Sequence, residues 1–175
     1  MSQFTIGALL GELQEQLVPM LEQKVASLSI LNNYQSLRLQ GNKDALLGAL
    51  GNLCMNALDA SDKKPTISIK IALSNKGHLL IIVDDRGCGM DAQMRRHLFD
   101  PFFTTKIDGT GLGLAVVKSV IESHEGSISV ASRPGVGTRF RIQLPYLQGL
   151  KSQISNADKQ PVKINNALRT EAVEC

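Results

Sequence analysis

Cys54, Cys88 and Cys175 are the only cysteines in the sequence. They show no CxxC spacing, and an odd number leaves no closed disulfide framework, which fits a reducing, cytoplasmic setting. Long apolar runs are missing too. No stretch approaches the roughly 18 residues needed to span a bilayer, and the start, MSQFTIGALLGELQEQ, lacks a basic patch followed by an unbroken apolar run. No membrane contact is expected of this segment, which leaves open whether a longer parent protein is anchored elsewhere. Charge of one sign is also scarce. Nineteen Lys and Arg against sixteen Asp and Glu leave a net of +3, and the basic residues are scattered rather than set in a stripe that would release counterions from nucleic acid. Nucleic acid is therefore not the expected partner. No internal repeat is visible.

What is present suffices for one domain: 175 residues, 43% of them hydrophobic, can bury a proper core but not two. Leu9, Leu10, Leu13, Leu17 and Leu21 recur at helical spacing and predict an amphipathic helix over 6–24, bent or interrupted near Pro19. Two short strands are expected within 25–34 and 37–39. A helix over 42–60 follows, with Asn42 as N-cap. Alternation at Ile67, Ile69, Ile71 and Leu73, a turn at Asn75-Lys76-Gly77 and the run Leu79 to Val83 predict a β-hairpin. A helix over 111–123 stops at Gly126. Strands over 127–132 and 138–144 flank the turn Arg133-Pro134-Gly135-Val136-Gly137. After Pro145 the chain turns polar and loses period, so 1–146 reads as the domain and 147–175 as a tail or docking segment. Interleaved helices and hairpins predict an α/β (α+β) two-layer sandwich, one mixed sheet covered by helices on one face.

Four stretches could carry chemistry. On the 42–60 helix, Asn52, Asn56 and Asp59 share a narrow face opposite the leucines. Their oxygens suit Mg²⁺, which is commonly bridged to protein by one or two such groups plus substrate phosphates; Asn56 is the first choice. Asp84-Asp85-Arg86-Gly87-Cys88-Gly89-Met90 follows an apolar strand. A strand-terminal carboxylate with glycines beside it can accept a hydrogen bond from an exocyclic amine such as that of adenine, and Asp85 is the better placed acid. Gly109-Thr110-Gly111-Leu112-Gly113-Leu114 opens a helix, where N–H groups and glycines admit phosphate oxygens. It has neither the Lys-Ser/Thr of a P-loop nor the preceding strand of a dinucleotide fingerprint. Between them, Phe99-Asp100-Pro101-Phe102-Phe103-Thr104-Thr105-Lys106 could anchor a flap, with Phe side chains packing underneath and Lys106 reaching a phosphate. Each stretch alone has an ordinary reading as a polar face, a turn or a loop anchor. Their order and company together supply the parts of an ATP site.

These residues resemble a family. Asn52-Leu-Cys-Met-Asn56-Ala-Leu-Asp-Ala60 is similar to the N box of sensor histidine kinases, Asp85-Arg-Gly-Cys-Gly89 to the G1 box, Phe99-Asp-Pro-Phe-Phe103 to the F box, and Gly109-Thr-Gly-Leu-Gly-Leu114 to the G2 box. The closing hairpin with Gly135-Val-Gly-Thr-Arg-Phe140 and Leu144-Pro145 resembles that family as well, and the likeness runs from about Leu9 to Pro145. It implies a Bergerat-type fold, ATP with Mg²⁺, and transfer of the γ-phosphoryl group to a histidine. By position, Asn56 would hold Mg²⁺, with Asn52 supporting the metal or its waters. Asp85 would bind the adenine amine, Gly87 and Gly89 would shape the base pocket, and Thr138 would lie near the base. Gly111 and Gly113 would line the phosphates under a lid. Met90, Phe99, Thr110, Leu112 and Leu114 complete the implied binding set, with Asp59, and with Lys106 beside Asn56 as the catalytic pair.

Two departures bear on the branch. Hydrolytic relatives place a glutamate four residues before the metal-binding Asn, to activate water; this chain has Asn52 there. Asp59 sits where many histidine kinases carry Lys or Arg, so Lys106 would substitute for that phosphate contact. The short lid and Thr104-Thr105-Lys106 resemble the nitrogen-regulator group, whose response-regulator partners often activate transcription. The family's acceptor histidine precedes an acidic residue on a separate, dimer-forming helical hairpin. His78 and His97 lack that neighbour, and His124-Glu125 is followed by Gly126, which marks a helix end. The acceptor is therefore expected upstream, in a homodimeric parent. The alternatives are a non-catalytic nucleotide-sensing module and a Ser/Thr kinase of the anti-sigma type.

Overall fold

A computed structural model describes residues 2–61, 64–75, 77–106 and 109–147. Strand β1 (Ser2–Thr5) leads into α1 (Ile6–Gln23), capped by Thr5, whose hydroxyl accepts from the Ala8 amide at 3.1 Å. Leu9, Leu10, Leu13 and Leu17 are buried along one side of α1. The helix is not interrupted at Pro19, one of the two outcomes expected there. Pro19 and the residue four before it, Glu15, are both exposed, so the carbonyl deprived of its partner is solvated. Strands β2 (Ser27–Leu31) and β3 (Arg38–Gly41) follow, then α2 (Lys43–Asp59), whose Asn42 cap accepts from the Ala45 amide at 3.0 Å. The hairpin β4 (Thr66–Leu73) and β5 (His78–Asp85), a short α3 (Ala92–His97), α4 (Gly113–Ser123), and the hairpin β6 (Ser127–Arg133) and β7 (Gly137–Pro145) complete the order.

The main sheet has the order β2-β4-β5-β7-β6, antiparallel except where β2 joins β4 in parallel; β1 and β3 form a separate antiparallel pair. Sheet alternation gives one face to Ile67, Ile69 and Ile71 of β4, Leu79, Ile81 and Val83 of β5, and Phe140, Ile142 and Leu144 of β7. The helices pack on that face. Among them α2 is the most enclosed, because it touches α1, α4, β4 and β5. Its buried set, which adds Leu47, Ala49, Cys54 and Leu58 to the expected stripe, accordingly covers about half of its circumference. Burial pushes the Cys54 thiol up to about 12, so it packs as a small protonated hydrophobe. The fold is thus the expected mixed α/β sandwich with helices on one face. Expectation missed β1 and α3, which at four and six residues are too short to show a period. Leu147 still donates its amide to Arg38 at 3.1 Å; the remainder of the expected tail, 148–175, lies outside the described residues.

His124 closes α4. Its Nδ1 donates to the Val120 carbonyl at 2.7 Å, and its Nε2 accepts from the Asn42 amide at 2.9 Å, joining the end of one helix to the start of another. A Cβ on Gly41 would strike the ring, so that glycine leaves the space His124 fills. His124→Ala would remove both bonds, though the Val120 carbonyl keeps the Ser123 hydroxyl at 2.8 Å, and we expect it to cost about 0.5–1.5 kcal/mol, read as a lower urea midpoint with an unchanged denaturant slope.

Candidate functional site

The two acids at the end of β5 point to opposite faces of the sheet. Asp84 is held on the far face by Arg139, at 2.5 and 3.0 Å to its two oxygens. Asp85 faces the helices. Its Oδ1 accepts from the Gly87 amide at 2.8 Å and the Thr138 amide at 3.2 Å, which leaves Oδ2 as the acceptor for a ligand. Burial raises the Asp85 carboxyl above the ordinary range, the two amides oppose this, and the Asp84 charge adds to it.

The loop after Asp85 is sewn to the last hairpin. Met90 donates its amide to Ser132 Oγ at 2.8 Å, Ser132 meets Thr138 Oγ1 at 2.9 Å, and Gly135 donates to the Cys88 carbonyl at 2.7 Å. Gly89 has φ 68°, and a Cβ there would collide with the Arg133 carbonyl. Ser132 and Thr138 are both buried. Sequence reading named Thr138 but missed Ser132, which sits in no box.

These elements, α2, α3 and the start of α4 enclose a cavity of about 380 Å³. Of the residues expected to bind, Asn56, Asp59, Asp85, Gly89, Met90, Lys106, Thr110, Gly111, Gly113, Leu114 and Thr138 line it. Four others are not on its wall. Gly87 is buried against Ala60, where a Cβ would have no room, so it shapes the site through its amide on Asp85. Asn52 lies one turn back along α2 and neighbours Gly113. Phe99 packs on the core, and Leu112 is the partly exposed N-cap of α4. Met94 and Leu98, contributed by α3 and the turn after it, line the cavity but were missed along with that helix.

The flap corrects another expectation. Phe103 lines the cavity, but Phe102 is 75% exposed rather than packed beneath. The backbone explains this: Phe102 has φ 67° and donates to the Gly111 carbonyl at 3.0 Å, and Gly111, with φ 68°, is so close to Phe102 that a Cβ would collide. That contact closes the lid at its base. No side chain caps α4, so its first N–H groups remain available to an anion.

Lys106 descends from the lid onto α2. Its Nζ lies 3.1 Å from Asn56 Oδ1 and 2.8 Å from Asp59 Oδ2, while Lys24 takes Asp59 Oδ1 at 2.6 Å. Burial alone would raise the Asp59 carboxyl, but the hydrogen bonds and charges of Lys106 and Lys24 outweigh it and hold the group below the usual range. A cation at Asn56 Oδ1 is thus already a feature of the geometry. No group of three or more His, Cys, Asp or Glu among the described residues could hold a metal ion; the Asn56 carboxamide oxygen with oxygens of a ligand would be a donor set that suits Mg²⁺. None of the helices among those residues is long and apolar enough to cross a membrane.

Comparison with known proteins agrees with this geometry. The sensor histidine kinase ZraS of Salmonella typhimurium is 44% identical over 110 residues, 63% of this chain and 24% of its own length. The signal transduction histidine-protein kinase AtoS of Escherichia coli is 38% identical over 122 residues, 70% of this chain and 20% of its own. The chain thus spans about a fifth to a quarter of these relatives. The catalytic domain of histidine kinase ThkA superposes with a TM-score of 0.74 at 26% identity, over 82% of this chain and 94% of that one. Full-length ShkA in complex with AMPPNP gives 0.73 at 23% identity, over 83% of this chain and 31% of that one, a likeness of fold. Residues 41–148, well over half of the sequence, match a family model, and the chain belongs to the family of histidine kinase-, DNA gyrase B- and HSP90-like ATPases.

Proposed function

We propose that this domain binds Mg·ATP in the cavity and passes the γ-phosphoryl group to a histidine on a separate dimerisation domain, for relay to a response regulator. The observation that carries the reading is the polarity of the cavity. One end offers a half-buried carboxylate on Asp85; the other gathers Asn56, Lys106 and the uncapped start of α4. A purine with an exocyclic amine suits the first end, and a metal-bound triphosphate the second.

Phosphoryl transfer needs little covalent work from the protein; it needs phosphates held in line and their charge neutralised. Magnesium on Asn56 would supply part of that neutralisation. The N–H groups around Gly111 to Gly113 and the Lys106 ammonium supply the rest. The P–O bond to the leaving ADP breaks as a bond to the acceptor imidazole forms. Of the three histidines of this chain, His124 is held at both nitrogens, and neither His78 nor His97 is followed by an acidic residue. The relatives named as sensor histidine kinases extend well beyond the matched part, which supports an acceptor on another domain.

Mixing this chain with a dimeric acceptor-histidine fragment and γ-labelled ATP tests the proposal. Label on the histidine is expected with Mg²⁺ present and absent after Asn56→Ala, which should also remove the Mg²⁺-dependent share of ATP affinity in calorimetry. Tight binding with no transfer would make the domain a nucleotide-sensing module instead. Asp85→Asn keeps an oxygen for the Gly87 and Thr138 amides but turns the free acceptor into a donor, so ATP affinity should fall by about tenfold to a hundredfold. Its stability should move the other way. A carboxyl raised by burial destabilises the fold once ionised; the penalty is complete above the raised value and fades as pH drops through it. The Asn variant should therefore melt no lower than the parent at neutral pH, with its margin shrinking in acid.

A further inference from the structure

Asp59 is an acid in a difficult place. It lies one turn beyond Asn56 on the cavity wall, at the end assigned above to the phosphates, where a bare carboxylate would repel them. Two lysines meet that conflict. Lys106 comes from the lid and shares itself between Asp59 and Asn56, at 2.8 and 3.1 Å. Lys24, the C-cap of α1, is not among the lining residues and reaches the other carboxylate oxygen at 2.6 Å from outside the cavity. Both pairs are too exposed to stabilise the fold much. Their consequence falls on an anion brought close to them.

Lys106 cannot stay where it is when the site fills. An ammonium against Asn56 Oδ1 and a divalent cation on the same oxygen exclude each other by charge, and incoming phosphates attract the lysine. When Lys106 leaves, one Asp59 oxygen loses its partner while Lys24 keeps the other. We propose that Lys24 is a positioning residue of the nucleotide site: it neutralises Asp59 once Lys106 has turned to the phosphates, so that the acid which holds the lid lysine beside Asn56 in the empty site does not repel them. This rests on the nucleotide-binding reading. It also assigns a function to the end of α1, which lies outside every box.

The test compares the unsubstituted chain, Lys24→Met, Lys24→Gln and the double variant Lys24→Met, Asp59→Asn, each titrated with Mg·ATP and with adenosine at low and at physiological salt. Both Lys24 variants should bind ATP about threefold to tenfold more weakly at low salt, with the deficit shrinking as salt rises and adenosine affinity unchanged. The double variant should regain the lost affinity. Undiminished ATP binding by the Lys24 variants, an equal loss for ATP and adenosine, or a double variant as weak as the single would overturn the inference while leaving the nucleotide site standing. Failure of the unsubstituted chain to bind Mg·ATP would instead remove the site itself, and this inference with it.

Discussion

The enclosure of α2 constrains everything else. A helix packed against the sheet, α1 and α4 together must be apolar over a wide arc, and α2 is: Leu46, Leu47, Ala49, Leu50, Leu53, Cys54, Ala57 and Leu58 are all buried. Polar side chains fit only along the strip that no neighbour covers. Asn56 and Asp59 occupy that strip where it meets the cavity, so the packing of the core decides where the chemistry can be. Truncating Leu53, which is fully buried, would belong to the class of change that costs about 2–5 kcal/mol, and would loosen the footing of the metal-side residues with it.

The opposite wall is fixed by strand geometry. Because side chains alternate along β5, neighbouring acids are forced apart: Asp84 goes to Arg139 and Asp85 to the cavity. The β6–β7 hairpin then clamps the loop after Asp85 through Ser132, Thr138 and Gly135. The Asp85 end of the cavity therefore rests on regular strands and satisfied hydrogen bonds. The other end rests on a lid tied at its base by the contact of Phe102 with Gly111. The Asp85 end is thus held by many more bonds across the fold than the lid end.

This division also explains what could be read without coordinates. Long elements with a clear period were legible: α2 and its Asn42 cap, the two hairpins and the helix stop at Gly126 all lie close to their expected places. So did most of the cavity wall, since its residues cluster in four short stretches. Side chains that act across the fold carried no local signal. Ser132 looks like any strand serine, Lys24 like any surface lysine, and Met94 and Leu98 belong to a helical segment too short to announce itself. Phe102 misled for a related reason. Three phenylalanines in five positions suggest a buried anchor, but the left-handed backbone at Phe102, set by its bond to Gly111, turns that ring to solvent.

The acids on the cavity wall finally bear on whether water or another acceptor takes the phosphoryl group. A general base needs a carboxylate or imidazole within reach of water and free to take its proton. Among the described lining residues the only acids are Asp59 and Asp85. Asp85 is bound by two amides at the base end, and Asp59 is gripped by two lysines that favour its charged form. The position one turn before Asn56 carries Asn52, a carboxamide that cannot serve as a base. Neither acid is therefore suited to be a general base: the lysines hold Asp59 below the usual carboxylate range, and Asp85 lies at the other end of the cavity from Asn56. Under the proposed function, such a site would suit an acceptor that need not lose a proton to attack, as a neutral imidazole nitrogen need not, better than a water molecule that would need a base.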